Sequence, residues 1–254
     1  MNTYKISAVS YLNSTPFIYG FENYKDIRRK IDLTKDSPAV CADKLKNGSA
    51  DIGLIPAAEF PNIPNGQIIS DYCIGAKGAV KTVLLLSDVA LEKIKTILLD
   101  YQSRTSVNLV QVLAENFWKI KPQFVPAEKG YETTITGSTA GVIIGDRTFK
   151  LPKKFRYTYD LSEEWFRFTG LPFTFAVWAA NKPISQTFIT LFNKACLFGL
   201  DHTDEVIRQF ADNGYTNAAR LKEYLENDIS YNFDNEKRKA MNYFLELKRE
   251  IKNS

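Results

Sequence analysis

Histidine is nearly absent: His202 is the only one in 254 residues. Histidine is the usual general base near neutral pH, so acid–base chemistry is expected to run without it, and His202, near a helix junction, is given no role. Cysteine is scarce too. Cys41, Cys73 and Cys196 lie far apart with no C-x-x-C spacing, which excludes a disulfide framework and a Cys/His zinc site. Cys73 and Cys196 stand in apolar stretches and are expected to be core thiols rather than nucleophiles. No apolar run reaches membrane-spanning length. The opening residues Met1–Ser7 lack the basic end, apolar stretch and small-residue cleavage site of a secretion signal, so a soluble, cytoplasmic protein is expected. Charge of one sign is not in excess: 33 Lys+Arg against 29 Asp+Glu leave +4, which reads as too small and too evenly spread to indicate nucleic acid, though it mildly favours small anions. Gly75-Ala76-Lys77-Gly78 precedes a strand, whereas a Rossmann fingerprint and a P-loop both need a following helix. No metal, cofactor, nucleic acid or membrane contact is expected; the oligomeric state is left open.

What is present is an ordinary globular composition, 44% apolar and 24% charged, enough for one large domain or two small ones. Strands are predicted at Lys5–Ser10, Asp51–Ile55, Ile68–Ile74, Val80–Leu86, Thr96–Leu99, Gln123–Val125, Ala140–Ile144, Tyr157–Leu161 and Phe173–Trp178. Helices alternate with them. Ser37-Pro38 opens one that Asn47-Gly48 closes, and Val107, Val110, Leu113, Ala114 and Phe117 repeat at helical spacing behind Ser103–Ser106. After Trp178 amphipathic helices take over, around Phe188/Leu191/Phe192/Ala195, Leu221/Tyr224/Leu225 and Met241/Phe244/Leu245. The alternation predicts an α/β fold with sites at strand ends, and no linker or repeat separates the parts.

Small polar residues gather where strands stop: Ser10-Tyr11-Leu12-Asn13, Pro56-Ala57, Ser87, Ser103-Arg104-Thr105-Ser106 and Gly145-Asp146. Hydroxyls and free amides at a helix start suit a carboxylate or phosphate, because the amides and the helix dipole both favour an anion there. Each turn also has a plainer reading. Ser103–Ser106 fits helix capping as well as ligand contact, Asn13 in Asn-Ser-Thr-Pro suits a simple turn, and Asp146 fits a helix cap as well as a general base. The aromatic run Trp165–Trp178 is expected to be mainly core, with a few rings, Phe173 among them, at the ligand.

Taken in order, Val9–Pro16, Gly48–Pro56, Gly78–Ser87, Leu99–Ser106, Ile143–Asp146 and Tyr159–Leu161 through Trp165 to Phe173 resemble the chorismate dehydratase family of the futalosine route to menaquinone, over most of residues 5 to 180. Two positions depart from the family pattern, which often has serine where this chain has Ala57 and Thr82. The resemblance implies a two-lobed, periplasmic-binding-protein-like (type II) fold, with lobe one formed by 1–87 and 175–254 including the helical tail, and lobe two by 88–174. It implies loss of water from chorismate, a small dicarboxylate, to give 3-[(1-carboxyvinyl)oxy]benzoate. The implied catalytic residues are Asn13 and Asp146. Substrate contacts are implied for Ser10, Tyr11, Pro56, Ala57, Ser87, Ser103, Arg104, Thr105, Ser106 and Phe173. A non-catalytic carboxylate-binding protein and the related naphthoate-forming menaquinone enzyme are the alternatives.

Overall fold

The computed structural model describes residues 3–211 and 214–253. In chain order the elements are β1 (Tyr4–Val9), α1 (Thr15–Asn23), α2 (Lys25–Arg28), β2 (Ile31–Asp36), α3 (Pro38–Lys46), β3 (Ile52–Pro56), β4 (Gln67–Ala76), β5 (Val83–Ser87) and β6 (Thr96–Leu99). There follow α4 (Thr105–Leu113), β7 (Gln123–Pro126), β8 (Thr139–Ile144), β9 (Tyr157–Asp160), α5 (Leu161–Thr169), β10 (Phe173–Ala180), α6 (Gln186–Asp201), α7 (Thr203–Phe210), α8 (Ala218–Glu223), β11 (Ser230–Asn232) and α9 (Asn235–Asn253). The fold is mixed α/β with two sheets, as the alternation implied. Two compact units share the chain: residues up to Gly75 with Thr174–Asp234, and Ala76–Phe173 with the chain from Asn235 on.

In the first unit the six strands run in the order β11-β4-β10-β3-β1-β2, with β1 parallel to both β2 and β3. β3 is buried along its whole length, which is why Ile52–Pro56 reads as an unbroken apolar run. β2 is an edge strand whose residues alternate between half-buried and exposed. Helix α6 starts at Ser185, whose side chain accepts a bond from the Phe188 amide. It crosses α1 where two glycines face it. A Cβ on Gly20 would overlap the Ala195 carbonyl, and one on Gly199 would overlap that of Pro16, so only glycine permits this backbone approach. Trp178 packs edge-on against Phe17, Phe21 and Phe192 at centroid distances of 5.8, 5.4 and 5.1 Å, forming the aromatic core of the unit.

The second unit holds the sheet β7-β6-β8-β5-β9, in which β5 runs antiparallel to both neighbours and β6 is parallel to β7 and β8. Its aromatic core joins Trp165 to Phe173 and Phe173 to Phe244, at 5.4 and 5.1 Å. These contacts correct the division at residues 87/88 and 174/175. β5 pairs on both sides within the second sheet, and α9 packs through Phe244 onto Trp165 and Phe173, so residues 76–87 and the terminal helix belong with the second unit. The helical last quarter also contains one short strand, β11, paired antiparallel to β4.

Candidate functional site

In the first unit the parallel strands bring three turns to one edge. The β1–β3 register pairs Ser7 with Gly53, which puts Ser10 level with Pro56. β10 runs the other way, with Ala176 opposite Pro56, so Thr174, near its start, shares that edge. Carboxyl ends of parallel strands are where α/β sheets place their ligands. The Ser10 amide donates to the Asp36 carbonyl at 2.9 Å, tying the ends of β1 and β2 together. Ser10 is exposed and Tyr11 half-buried, while Ala57 is fully buried at the turn after Pro56.

The residues after Tyr11 form a 3-10 turn, Leu12–Ser14, leading directly into α1. Its hydroxyls serve the turn itself: Ser14 Oγ donates to the carbonyls of Val9 and Tyr11, and Thr15 Oγ1 donates to Leu12 at 2.7 Å. The Asn13 carbonyl is held by the Tyr231 hydroxyl at 2.9 Å, and burial raises the pKa of that hydroxyl well above the usual tyrosine value. The Asn13 side chain is different. Its Oδ1 is buried and has no hydrogen-bond partner among the described residues. An acceptor buried without a donor costs about 1–3 kcal/mol, so its persistence calls for a reason.

Asp36, at the end of β2, receives bonds from Ser7 Oγ and Thr34 Oγ1, both at 2.7 Å, and from Lys44 Nζ at 2.6 Å. Burial pulls its pKa up, but the bonds from Lys44, Thr34 and Ser7 outweigh it and hold the carboxyl below its ordinary value. The nearby Cys41 thiol is pushed up to about 12 by burial. Cys196 is raised well above its ordinary value for the same reason, and Cys73 is buried, so the expectation of core thiols holds.

In the second unit another edge collects Asp100 to Ser106 after β6, Gly145-Asp146 after β8, the segment before β5, and Asp160 at the end of β9. Gly145, with φ of 66°, donates to the Thr82 carbonyl at 2.8 Å. Ser103 Oγ accepts from the Ser106 amide at 3.0 Å, so capping is one of its functions; Ser103, Thr105 and Ser106 are buried and Arg104 is half-buried. Asp146 is half-buried in the first turn after Gly145.

Two carboxylates on this edge escaped the sequence reading. Asp100 accepts from the amides of Gln102 at 2.8 Å and Ile144 at 3.3 Å, from the Tyr131 hydroxyl at 2.9 Å, and from Arg147, whose guanidinium also meets Glu132 at 2.5 Å. Burial raises the Asp100 pKa against the pull of Arg147. This cluster fastens the turn before α4 to the turn after β8. Asp160 accepts from the amides of Val80 and Lys81 with one oxygen, at 2.9 and 2.6 Å, and from Ser162 and Glu163 with the other, at 3.0 and 3.2 Å. Burial lifts its pKa to about 6 although four amides pull it down. The pattern Asp160-Leu-Ser-Glu163 ahead of Trp165 is the cap signature that could have revealed it.

Two expected contacts do not join these groups. Ser87 ends β5, but β5 is antiparallel to β8, so Ser87 lies at the opposite edge of the sheet from Ser103 and Asp146. It is fully buried there, its hydroxyl donating to the Val89 carbonyl at 2.8 Å and accepting the Val89 amide at 3.1 Å. Phe173 is 1% exposed, enclosed by Trp165 and Phe244, and offers no face to a ligand. His202 sits between α6 and α7, its Nδ1 2.7 Å from the Phe198 carbonyl and its ring stacked on Phe198.

A model of the family described as "Menaquinone biosynthesis" matches residues 4–250. A curated relative, the chorismate dehydratase of Thermus thermophilus, is 28% identical over 198 residues, covering 70% of this chain and 72% of its own. Among solved structures, a protein of Archaeoglobus fulgidus aligns with a TM-score of 0.75 at 15% identity over 99% of this chain and 98% of its own. A Candida albicans protein with the generic periplasmic binding protein fold aligns at 0.64 and 14% identity, over 98% and 90%. The aliphatic sulphonate binding protein of Escherichia coli aligns at 0.65 and 14% identity, over 100% and 94%. The fold is periplasmic-binding-protein-like.

Proposed function

Because the chain belongs to the menaquinone-biosynthesis family, we propose that it is a chorismate dehydratase, a carbon–oxygen lyase that removes water from chorismate to give 3-[(1-carboxyvinyl)oxy]benzoate. The Thermus relative supports that reaction, and the buried, unpartnered Oδ1 of Asn13 is the observation that carries it. In the reaction a proton leaves ring carbon 3, a hydroxyl leaves carbon 4, and the two combine as water while the ring becomes aromatic. Aromatisation supplies the driving force. The protein must then fix two carboxylates and direct one carbon–oxygen bond.

An unpartnered carbonyl oxygen suits that second task. The Asn13 Oδ1 accepts the hydrogen of the carbon-4 hydroxyl and so sets the direction of the breaking bond; an amide is no base at neutral pH, so it does not take the ring proton. That proton goes to a carboxylate of the substrate, which passes it to the departing oxygen so that water leaves. Within the second unit by itself, the first-turn positions Ser103, Arg104, Thr105 and Ser106 suit a carboxylate, with the dipole of α4 behind them. Ser10, Tyr11 and Pro56 stand at the strand ends of the first unit that also carry the Asn13 turn.

The test compares the wild-type protein with Asn13→Ala on chorismate. The wild type is expected to turn over, and the variant to lose about 10²-fold or more in kcat, with a smaller change in KM, since what is lost is the orientation of the breaking bond. Full turnover by the variant removes Asn13 from the mechanism. A tight complex with chorismate and no product from the wild type would instead establish a carboxylate-binding protein.

A further inference from the structure

The first unit carries a groove of about 1060 Å³ beside α2 and α6, on which Lys25, Arg28, Arg29, Lys30 and Lys194 converge against the single acidic residue Asp26. These five cations and one anion account for the whole formal charge of +4; the rest of the chain is balanced. Five cations thus meet one anion in this groove. None of the five cations has an ion-pair partner among the described residues, and four of them, all but the half-buried Lys30, are exposed. The floor is less polar, formed by the half-buried Tyr24 and Leu191.

Helical spacing sets Thr187, Thr190, Leu191 and Lys194 on one face of α6, and the same face continues to Leu197, one of the few large apolar side chains that is exposed, at 44%. No buried polar group is fixed within the groove to orient a small molecule, as a small-ligand site needs. Several exposed cations beside a less polar floor instead suit an extended partner that spreads negative charge along one side and apolar side chains along the other. Flanking helices with such a floor receive an amphipathic helix through anchors at positions i, i+3, i+4 and i+7.

We propose that this groove docks an acidic amphipathic segment of a partner protein. Charge complementarity would speed encounter and set orientation, while Leu191, Tyr24 and Leu197 would take the segment's apolar side. The test uses a fluorescently labelled 20-residue peptide with glutamate on its polar face and leucine at i, i+3, i+4 and i+7. Its controls are a scrambled peptide of the same composition, a single-stranded RNA 20-mer and vesicles containing anionic lipid. Binding is measured with the full chain, with an Arg28→Glu/Arg29→Glu variant and with Lys194→Glu, each checked for an unchanged melting temperature.

The amphipathic peptide is expected to bind the wild type, to lose about tenfold or more in affinity against the double variant, and to weaken as salt rises past a Debye length of about 8 Å. Equal binding by the scrambled peptide, unchanged affinity in both variants, or no binding at all would overturn the proposal. Tighter binding of RNA or of vesicles would overturn it in favour of a nucleic acid or a membrane surface.

Discussion

Asp36 accepts bonds from Ser7, Thr34 and Lys44 while its backbone carbonyl receives the Ser10 amide, so one residue joins the ends of β1 and β2 beside the turn that carries Asn13. Its carboxyl titrates below the ordinary value, hence the folded state binds the proton less tightly than the unfolded chain does. The stability this contributes is complete above the unfolded pKa of about 3.9 and disappears as the pH falls through the folded value. Asp36→Asn is expected to cost about 1–2 kcal/mol at pH 7, the scale of hydrogen bonds to a charged group. The deficit should shrink steadily below about pH 4 in urea titrations across pH; a deficit independent of pH would mean that geometry, not charge, stabilises this corner. Asn13 differs from Asp36 in a way sequence cannot show. Both are polar residues at strand ends, but every donor around Asp36 belongs to the protein, whereas the acceptor of Asn13 is left over. In Asn-Ser-Thr-Pro the turn reading holds for Asn13 and Ser14, while Thr15 and Pro16 already open α1; that Asn13 Oδ1 is left without a donor emerges only once the bonds of Ser14 and Thr15 are assigned.

At the scale of elements, the crossing of α1 and α6 rests on Gly20 and Gly199. Gly199→Ala places a methyl group against the Pro16 backbone, which must move, and overpacking of this kind costs about 1–3 kcal/mol. Urea or thermal unfolding checks this, and a melting temperature at or above that of the wild type would show that the helices can separate freely. Apolar strands such as β3 and β8 were legible because burial on both faces leaves an unbroken run. β2 was not, since Ile31-Asp-Leu-Thr-Lys-Asp36 sits at an edge and mixes charge into both faces. Helix α1 was hidden by Pro16, taken with Asn13 as part of a turn although proline is at home in a first helical turn. Ser87 shows a different limit. Strand ends gather on one edge only when strands run the same way; β5 is antiparallel, and one sequence contains no statement of strand direction.

At the scale of the molecule, residues close in sequence part company. β4 lies inside the first sheet and β5 inside the second, and the terminal helix joins the second unit through Phe244 after a long excursion in the first. Composition could not reveal this, because which sheet a strand joins depends on pairing partners. Nor could it reveal that Lys25, Arg28, Arg29, Lys30 and Lys194 meet in one groove beside α2 and α6. The near absence of histidine leaves only His202, stacked on Phe198 between α6 and α7, and agrees with the proposed elimination governed by orientation of the substrate, with a carboxylate as base. The most direct measurement is to incubate the wild-type protein with chorismate and follow the mixture by mass spectrometry and proton NMR. The account predicts stoichiometric loss of one water with the appearance of the aromatic protons of 3-[(1-carboxyvinyl)oxy]benzoate. Chorismate remaining unchanged beside protein that it nonetheless stabilises against heat would contradict it.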